Sequence, residues 1–112
     1  MSNFPPIKKP LNAAAVAGTA VDIKTTPCQL QGWQIVNQTA AEAFVQVFDK
    51  KAANVVVGTT APDYWIPLPA SGGAVLPLNK VGIQHDVALS VACTTTPTGA
   101  GASAADVLMF VR

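Results

Sequence analysis

Apolar and polar residues alternate along much of this chain with a period of two, the spacing that puts successive side chains on opposite faces of a β-strand. The alternation is clearest where Val87, Leu89, Val91 and Cys93 are interleaved with Ala88, Ser90 and Ala92, which marks one face of that segment as core. Gln31, Trp33, Ile35 and Asn37 alternate with Leu30, Gly32, Gln34 and Val36, and Val45 and Val47 alternate with Phe44, Gln46 and Phe48. The last of these segments is apolar on both faces, so it needs a second layer or a second subunit over it. Strands are predicted near residues 19–24, 28–37, 43–49, 64–68, 74–78, 87–94 and 104–111, separated by clusters of Gly, Pro, Asn and Thr. Such spacing fits a sandwich or barrel better than strand–helix alternation.

One stretch competes for helix. Ala40, Ala41, Glu42 and Ala43 have good helix propensity and Thr39 is a possible N-cap. The β-branched and aromatic run from Phe44 to Phe48 favours a strand, so no more than a turn is expected at 38–42. Residues 49–54 read as a solvated polar connection. Ala70-Ser71-Gly72-Gly73 reads as a tight turn whose glycines supply positive φ, and 94–103 as a flexible small-residue loop. The final strand reaches almost to Arg112, so Val107, Met109 and Val111 are placed inside the sheet, and loss of residues 104–112 is expected to unfold the domain.

The first ten residues, MSNFPPIKKP, hold three prolines and two lysines. Proline fixes φ and withholds a backbone donor, so this segment reads as an extended arm. It is either a leader or a strap lying on a neighbouring subunit through Phe4 and Ile7. The following LNAAAVAGTAV resembles the apolar part of a secretory signal, but Pro5, Pro6 and Pro10 crowd its charged flank, and Asn12 and Gly18 break the run. A reducing compartment is then the default, with Cys28 and Cys93 as buried thiols; a Cys28–Cys93 disulfide needs later oxidation. No run approaches the roughly 20 apolar residues that a helix needs to cross a bilayer.

At 112 residues the chain suits one domain. Half of the residues are hydrophobic, 12% are charged and mean hydropathy is +0.36, values that exclude intrinsic disorder. A net charge of +1 lacks the long-range field of a nucleic-acid binder or of a protein held on anionic lipid. The basic residues are scattered, which suits solubility.

Chemistry-bearing motifs are sparse. His85 neighbours Asp86, so a triad with Ser71, Ser90 or Ser103 is formally available, but there is no G-x-S-x-G elbow and such a histidine reads more simply as a surface or turn residue. The six acids are scattered singly, a poor basis for a paired-carboxylate site. Two cysteines far apart and one histidine do not have zinc spacing. Gly99 and Gly101 precede no lysine that would complete a phosphate cradle. Tyr64 and Trp65 follow Asp63 at a loop-to-strand position, where they serve as core or interface anchors or, alternatively, as a platform for a sugar ring. No catalytic, cofactor or metal residue is assigned.

From Leu30 to Thr95, a little over half of the chain, the order of elements forms a pattern: GWQIVNQT, AFVQVFD, VGTTAP, WIPLP, and VGI leading into VALSVA. It resembles the small β-sandwich virion proteins of tailed bacteriophages, which coat capsids as cement or decoration proteins or occur elsewhere in the particle. The resemblance implies an all-β, jelly-roll-like antiparallel sandwich over residues 11–112 with an extended N-terminal arm over 1–10. It implies a non-enzymatic role on the virion, assembled in the host cytoplasm, with the major capsid protein as partner and a trimer as the expected homo-oligomer. Neither nucleic acid nor membrane is an expected partner, and no cofactor is implied. The expected contact residues are Phe4, Ile7, Tyr64 and Trp65. The alternative role is a receptor- or carbohydrate-binding module of a tail or fibre.

Overall fold

The computed structural model describes residues 15–76 and 82–112. The N-terminal arm, with Phe4 and Ile7, lies outside the described residues, as do positions 77 and 78 of the fifth predicted strand.

The described residues form nine strands: β1 (Ala15–Val16), β2 (Val21–Lys24), β3 (Cys28–Asn37), β4 (Ala43–Phe48), β5 (Tyr64–Leu68), β6 (Gly73–Leu76), β7 (Ile83–His85), β8 (Leu89–Thr94) and β9 (Ala105–Val111). The only described helix is a 3₁₀ turn at Ala52–Asn54. All seven predicted strands are present, and each end that falls on described residues lies within two residues of its expected position. β1 and β7, two and three residues long, are too short to show an alternation.

The strands make two antiparallel sheets, ordered β1-β9-β3-β6 and β2-β8-β4-β5, with β7 also paired to β3. The pairing is nested like one long hairpin. β4 pairs with β5, β3 with β6 and β7, β2 with β8, and β1 with β9. Contacts β3–β9 and β4–β8 then stitch the nested pairs into sheets. β6 and β7 lie end to end along β3, with Leu76 opposite Trp33 and Ile83 opposite Leu30. The outer strands are short: β1 and β2 span two and four residues, and β5 carries Pro67.

Leu30, Ile35, Val107 and Met109 from one sheet meet Val45, Val47, Leu68, Leu89, Val91 and Cys93 from the other in a single buried core. Both thiols are buried within it and free, and burial pushes each above its ordinary value. Their chemistry is that of small core hydrophobes.

β4 shows what the two-faced pattern meant. Phe48, Gln46, Ser90 and Ala92 face away from this core yet are fully buried. The cover is a second layer made of the chain's own connections. Gln46 Nε2 donates to Thr94 Oγ1 at 2.9 Å and to Gly99 O at 2.9 Å, and Thr94 Oγ1 donates to Thr96 O at 2.7 Å, which pins 95–101 across the sheet. Ser90 Oγ donates to Lys50 O at 2.7 Å, and Ala52 N–H donates to Asp22 Oδ1, which fixes the other connection. The two meet at Gly58, where φ is +92° and an added Cβ would come within 2.6 Å of Ala100 Cβ. Both segments are solvated, with Lys50, Lys51, Asn54, Thr95 and Thr96 exposed as expected, but hydrogen bonds tie each of them to the sheet beneath, so neither hangs loose.

The β5–β6 turn also corrects an expectation. Positive φ falls on Ser71, at +54°, and on neither Gly72 nor Gly73. Gly73 is needed for a different reason: a Cβ there would lie 2.3 Å from Ile35 O on the paired strand. Ser71→Gly is expected to stabilise the fold by about 0.5 kcal/mol, the left-handed penalty of ~1 kcal/mol less the entropy that glycine adds to the unfolded chain. Differential scanning calorimetry should show a rise of about 2–4 °C in Tm.

Candidate functional site

His85, expected at the surface, is 1% exposed. It ends β7 opposite Cys28 of β3, and the pairing turns its ring inward, toward the second sheet. Tyr64, at the start of β5 in that sheet, reaches it: Tyr64 Oη lies 2.7 Å from His85 Nε2, and the rings meet edge to face at 5.8 Å. His85 Nδ1 lies 2.8 Å from Ala88 O. A carbonyl only accepts, so Nδ1 carries the proton, and in the neutral ring Nε2 accepts from the phenol. Burial raises the Tyr64 phenol well above its ordinary value, followed by the Cys28 thiol and the acids Asp63 and Asp49, which keeps it a donor.

Asp49 completes the cluster as a backbone cap. Its carboxylate accepts from the N–H groups of Asp86 at 3.0 Å, Val87 at 2.9 Å and Ala88 at 3.2 Å, and lies 3.9 Å from His85 Nδ1. This capture delays the start of β8 to Leu89, so Val87, expected on the core face, is exposed. Partial burial pushes the Asp49 carboxyl up, but the three N–H donors and then His85 outweigh it, and the group sits below its ordinary value of 3.8. A depressed carboxyl contributes stability that is complete above the unfolded-state value and disappears as pH falls through the folded-state value. Asp49→Asn is therefore expected to lower the urea midpoint at neutral pH and to flatten its decline on the acid side below 3.8. A midpoint series against pH checks this.

Both ring nitrogens of His85 are engaged in joining the sheets, and the triad considered from sequence is not assembled. Ser90 Oγ donates to Lys50 O, Ser71 Oγ reaches Thr39 O, and Ser103 is hydrogen-bonded to the Cys93 thiol. Asp86 points its backbone, not its carboxylate, into the cluster. Among the described residues no three His, Cys, Asp or Glu side chains stand where they could share a metal ion. The cluster does structural work: a polar latch between the two sheets at one end of the sandwich.

Of the four expected contact residues, Tyr64 is half-buried and committed to this latch, whereas Trp65, its neighbour on β5, points outward and is 46% exposed. The larger apolar surface lies elsewhere, on the outer face of the β3–β9 sheet. Ile35, Val107 and Met109 point into the core, so the residues between them point out. Val36 is 49% exposed and Val75 67% exposed, while Leu108 and Phe110 are half-buried. Val75, Gln34 and Leu108 stand side by side across β6, β3 and β9, with Val36 and Asp106 in the next such row. Gln34, Val36, Asp106, Val107 and Leu108 line an open depression of about 180 Å³. Gln38 Nε2 donates to Asp106 Oδ2 at its rim.

The sequence carried a signal for this face that the strand reading did not use. Leu108 and Phe110 alternate with Val107, Met109 and Val111, so β9 is apolar on both faces, as β4 is. For β4 the second face is covered by connections; for β9 it is open. Compared with family models, curated proteins and solved structures, the chain finds no match.

Proposed function

We propose that this chain is a structural virion protein of a tailed bacteriophage, a cement or decoration protein that binds the outside of the head as a trimer and contacts the major capsid protein. The observation that carries this reading is the open apolar face of the β3–β9 sheet. A single copy leaves Val36 and Val75 in water, and a subunit contact would remove that surface at about 25 cal/mol per Å². The chemistry found in the interior, a His–Tyr latch and a carboxylate that caps backbone, serves rigidity, which is what clamping a pressurised shell demands. The nested strand pairing, with β6 and β7 counted as one interrupted strand, supports reading the sandwich as an eight-stranded jelly roll. The Leu30 to Thr95 pattern supports the same assignment.

Light scattering on the purified full chain is expected to give three times the chain mass, and the protein is expected to co-sediment with capsid shells of the source phage. A monomer that stays in the supernatant overturns the reading. A second reading, a receptor- or carbohydrate-binding module of a tail or fibre, draws on the exposed Trp65. Glycan-array binding that vanishes in Trp65→Ala, without shell binding, would establish it instead.

A further inference from the structure

We infer that the open face of the β3–β9 sheet is a two-fold contact between copies of this chain, in which the β9 strands of two copies run antiparallel and the Phe110 ring of each enters the depression beside Asp106 of the other. Such a contact goes beyond the proposed role, since it joins one assembly to the next, trimer to trimer, and holds wherever copies meet.

The outward row of β9 carries it. Val107, Met109 and Val111 pack toward the core, so Asp106, Leu108, Phe110 and Arg112 share the outer face. Arg112 exchanges backbone hydrogen bonds of 3.0 and 3.1 Å with Gln29, which extends the ladder to that residue. An acid, two apolar groups and a base thus stand in line, a row that complements itself when reversed. Turned about an axis that crosses the strands at Met109, each Asp106 meets the other copy's Arg112, and each Leu108 the other copy's Phe110. Charge excludes the parallel stack of the same two strands, which sets Asp106 on Asp106 and Arg112 on Arg112. Facing sheets stand about 10 Å apart and cross at about 30°, so the ends of the two strands part by about 5 Å, within reach of an arginine side chain.

The depression has the size that this pairing needs. It lies on the Asp106 half of the face, so the reversed copy brings Phe110 and Arg112 above it. About 150 Å³ admits one benzene ring, and the depression measures about 180 Å³. Val36, Val107 and Leu108 offer the ring apolar contact. Gln38 Nε2 donates to Asp106 Oδ2, which leaves Oδ1 for the guanidinium. Three strands of about seven residues and the short β1 make a patch of about 17 by 23 Å, so two patches bury on the order of 800 Å². That is below the ~1,200 Å² of a stable specific interface and suits a transient one. Pairing is therefore expected to grow with concentration and to add to a trimer rather than replace it.

Sedimentation equilibrium of the full chain over a range of concentrations, with charge-reversed variants, tests this. The parent is expected to double its mass as concentration rises. Asp106→Arg sets two cations against each other and Arg112→Asp two anions, and each is expected to weaken doubling by about tenfold or more. Mixed one to one, the two variants complement each other and are expected to double within about threefold of the parent. The Asp106→Arg/Arg112→Asp double variant is expected to do so alone. A mixture and a double variant that stay as weak as the single variants overturn the inference, as do single variants that double like the parent. Single variants that lose shell binding at unchanged mass also overturn it, and assign the face to the shell. A parent that stays at three times the chain mass and co-sediments with shells removes this inference and leaves the cement reading standing. A monomer that doubles to a dimer and ignores shells does the reverse.

Discussion

Phe48→Ala is expected to cost about 3–5 kcal/mol, the range for emptying the site of a fully buried aromatic ring, and to lower Tm by roughly 15–25 °C in a domain of this size. The size of the loss is informative because Phe48 lies outside the core between the sheets. Its burial depends on the connections around 49–63 and 95–103, held by Ser90 on Lys50 and by Gln46 on Gly99. If those connections open readily in solution, the ring already spends time in water and its removal costs under about 1 kcal/mol. Phe44, on the same face but half-buried, gives an internal comparison and a smaller loss. Urea melts of the two variants beside the parent, with unchanged slopes, separate these outcomes.

Asn37→Ala is expected to cost about 3–4 kcal/mol, near 1 kcal/mol for each of four hydrogen bonds, before any penalty for partners left dry. Asn37 ends β3 with its side chain buried and uses every valence of the amide. Nδ2 donates to Ala41 O at 2.8 Å and Pro69 O at 3.0 Å, and Oδ1 accepts from Thr39 N–H at 2.9 Å and Thr39 Oγ1 at 2.8 Å. One side chain thereby holds the β3–β4 turn against the β5–β6 turn. Asn37→Asp is expected to be no milder, because a carboxylate would face two carbonyl oxygens with no proton to give them. A midpoint for Asn37→Asp within about 1 kcal/mol of the parent's would show that the turns hold without this amide.

The strand map was legible because β-branched and aromatic runs bounded by turn residues mark strands even where, as in β4 and β9, no polar face alternates with the apolar one. What escaped was set by long-range pairing. β1 and β7 exist because β9 and β3 offer them an edge, and no local signal of two or three residues encodes that. The latch was hidden for the same reason: His85 and Asp86 are neighbours in sequence, yet His85's partners are Tyr64 and Ala88, and the carboxylate beside it belongs to Asp49. Composition misled where small polar residues were read as slack chain. The stretch around Thr96 and Gly99 is held by a buried glutamine that the alternation had placed on an outer face.

The shortness of the rim strands bears on how copies of this chain can meet. Any exposed strand offers a row of donors and acceptors that invites another polypeptide to dock as the next rung and so to propagate without limit. Here one margin is only two residues long, another four, and β5 is interrupted by an imino acid that has no proton to offer. Templated, fibre-like growth is thus discouraged on those sides, and association is steered toward broad surfaces, where a fixed number of partners closes the structure.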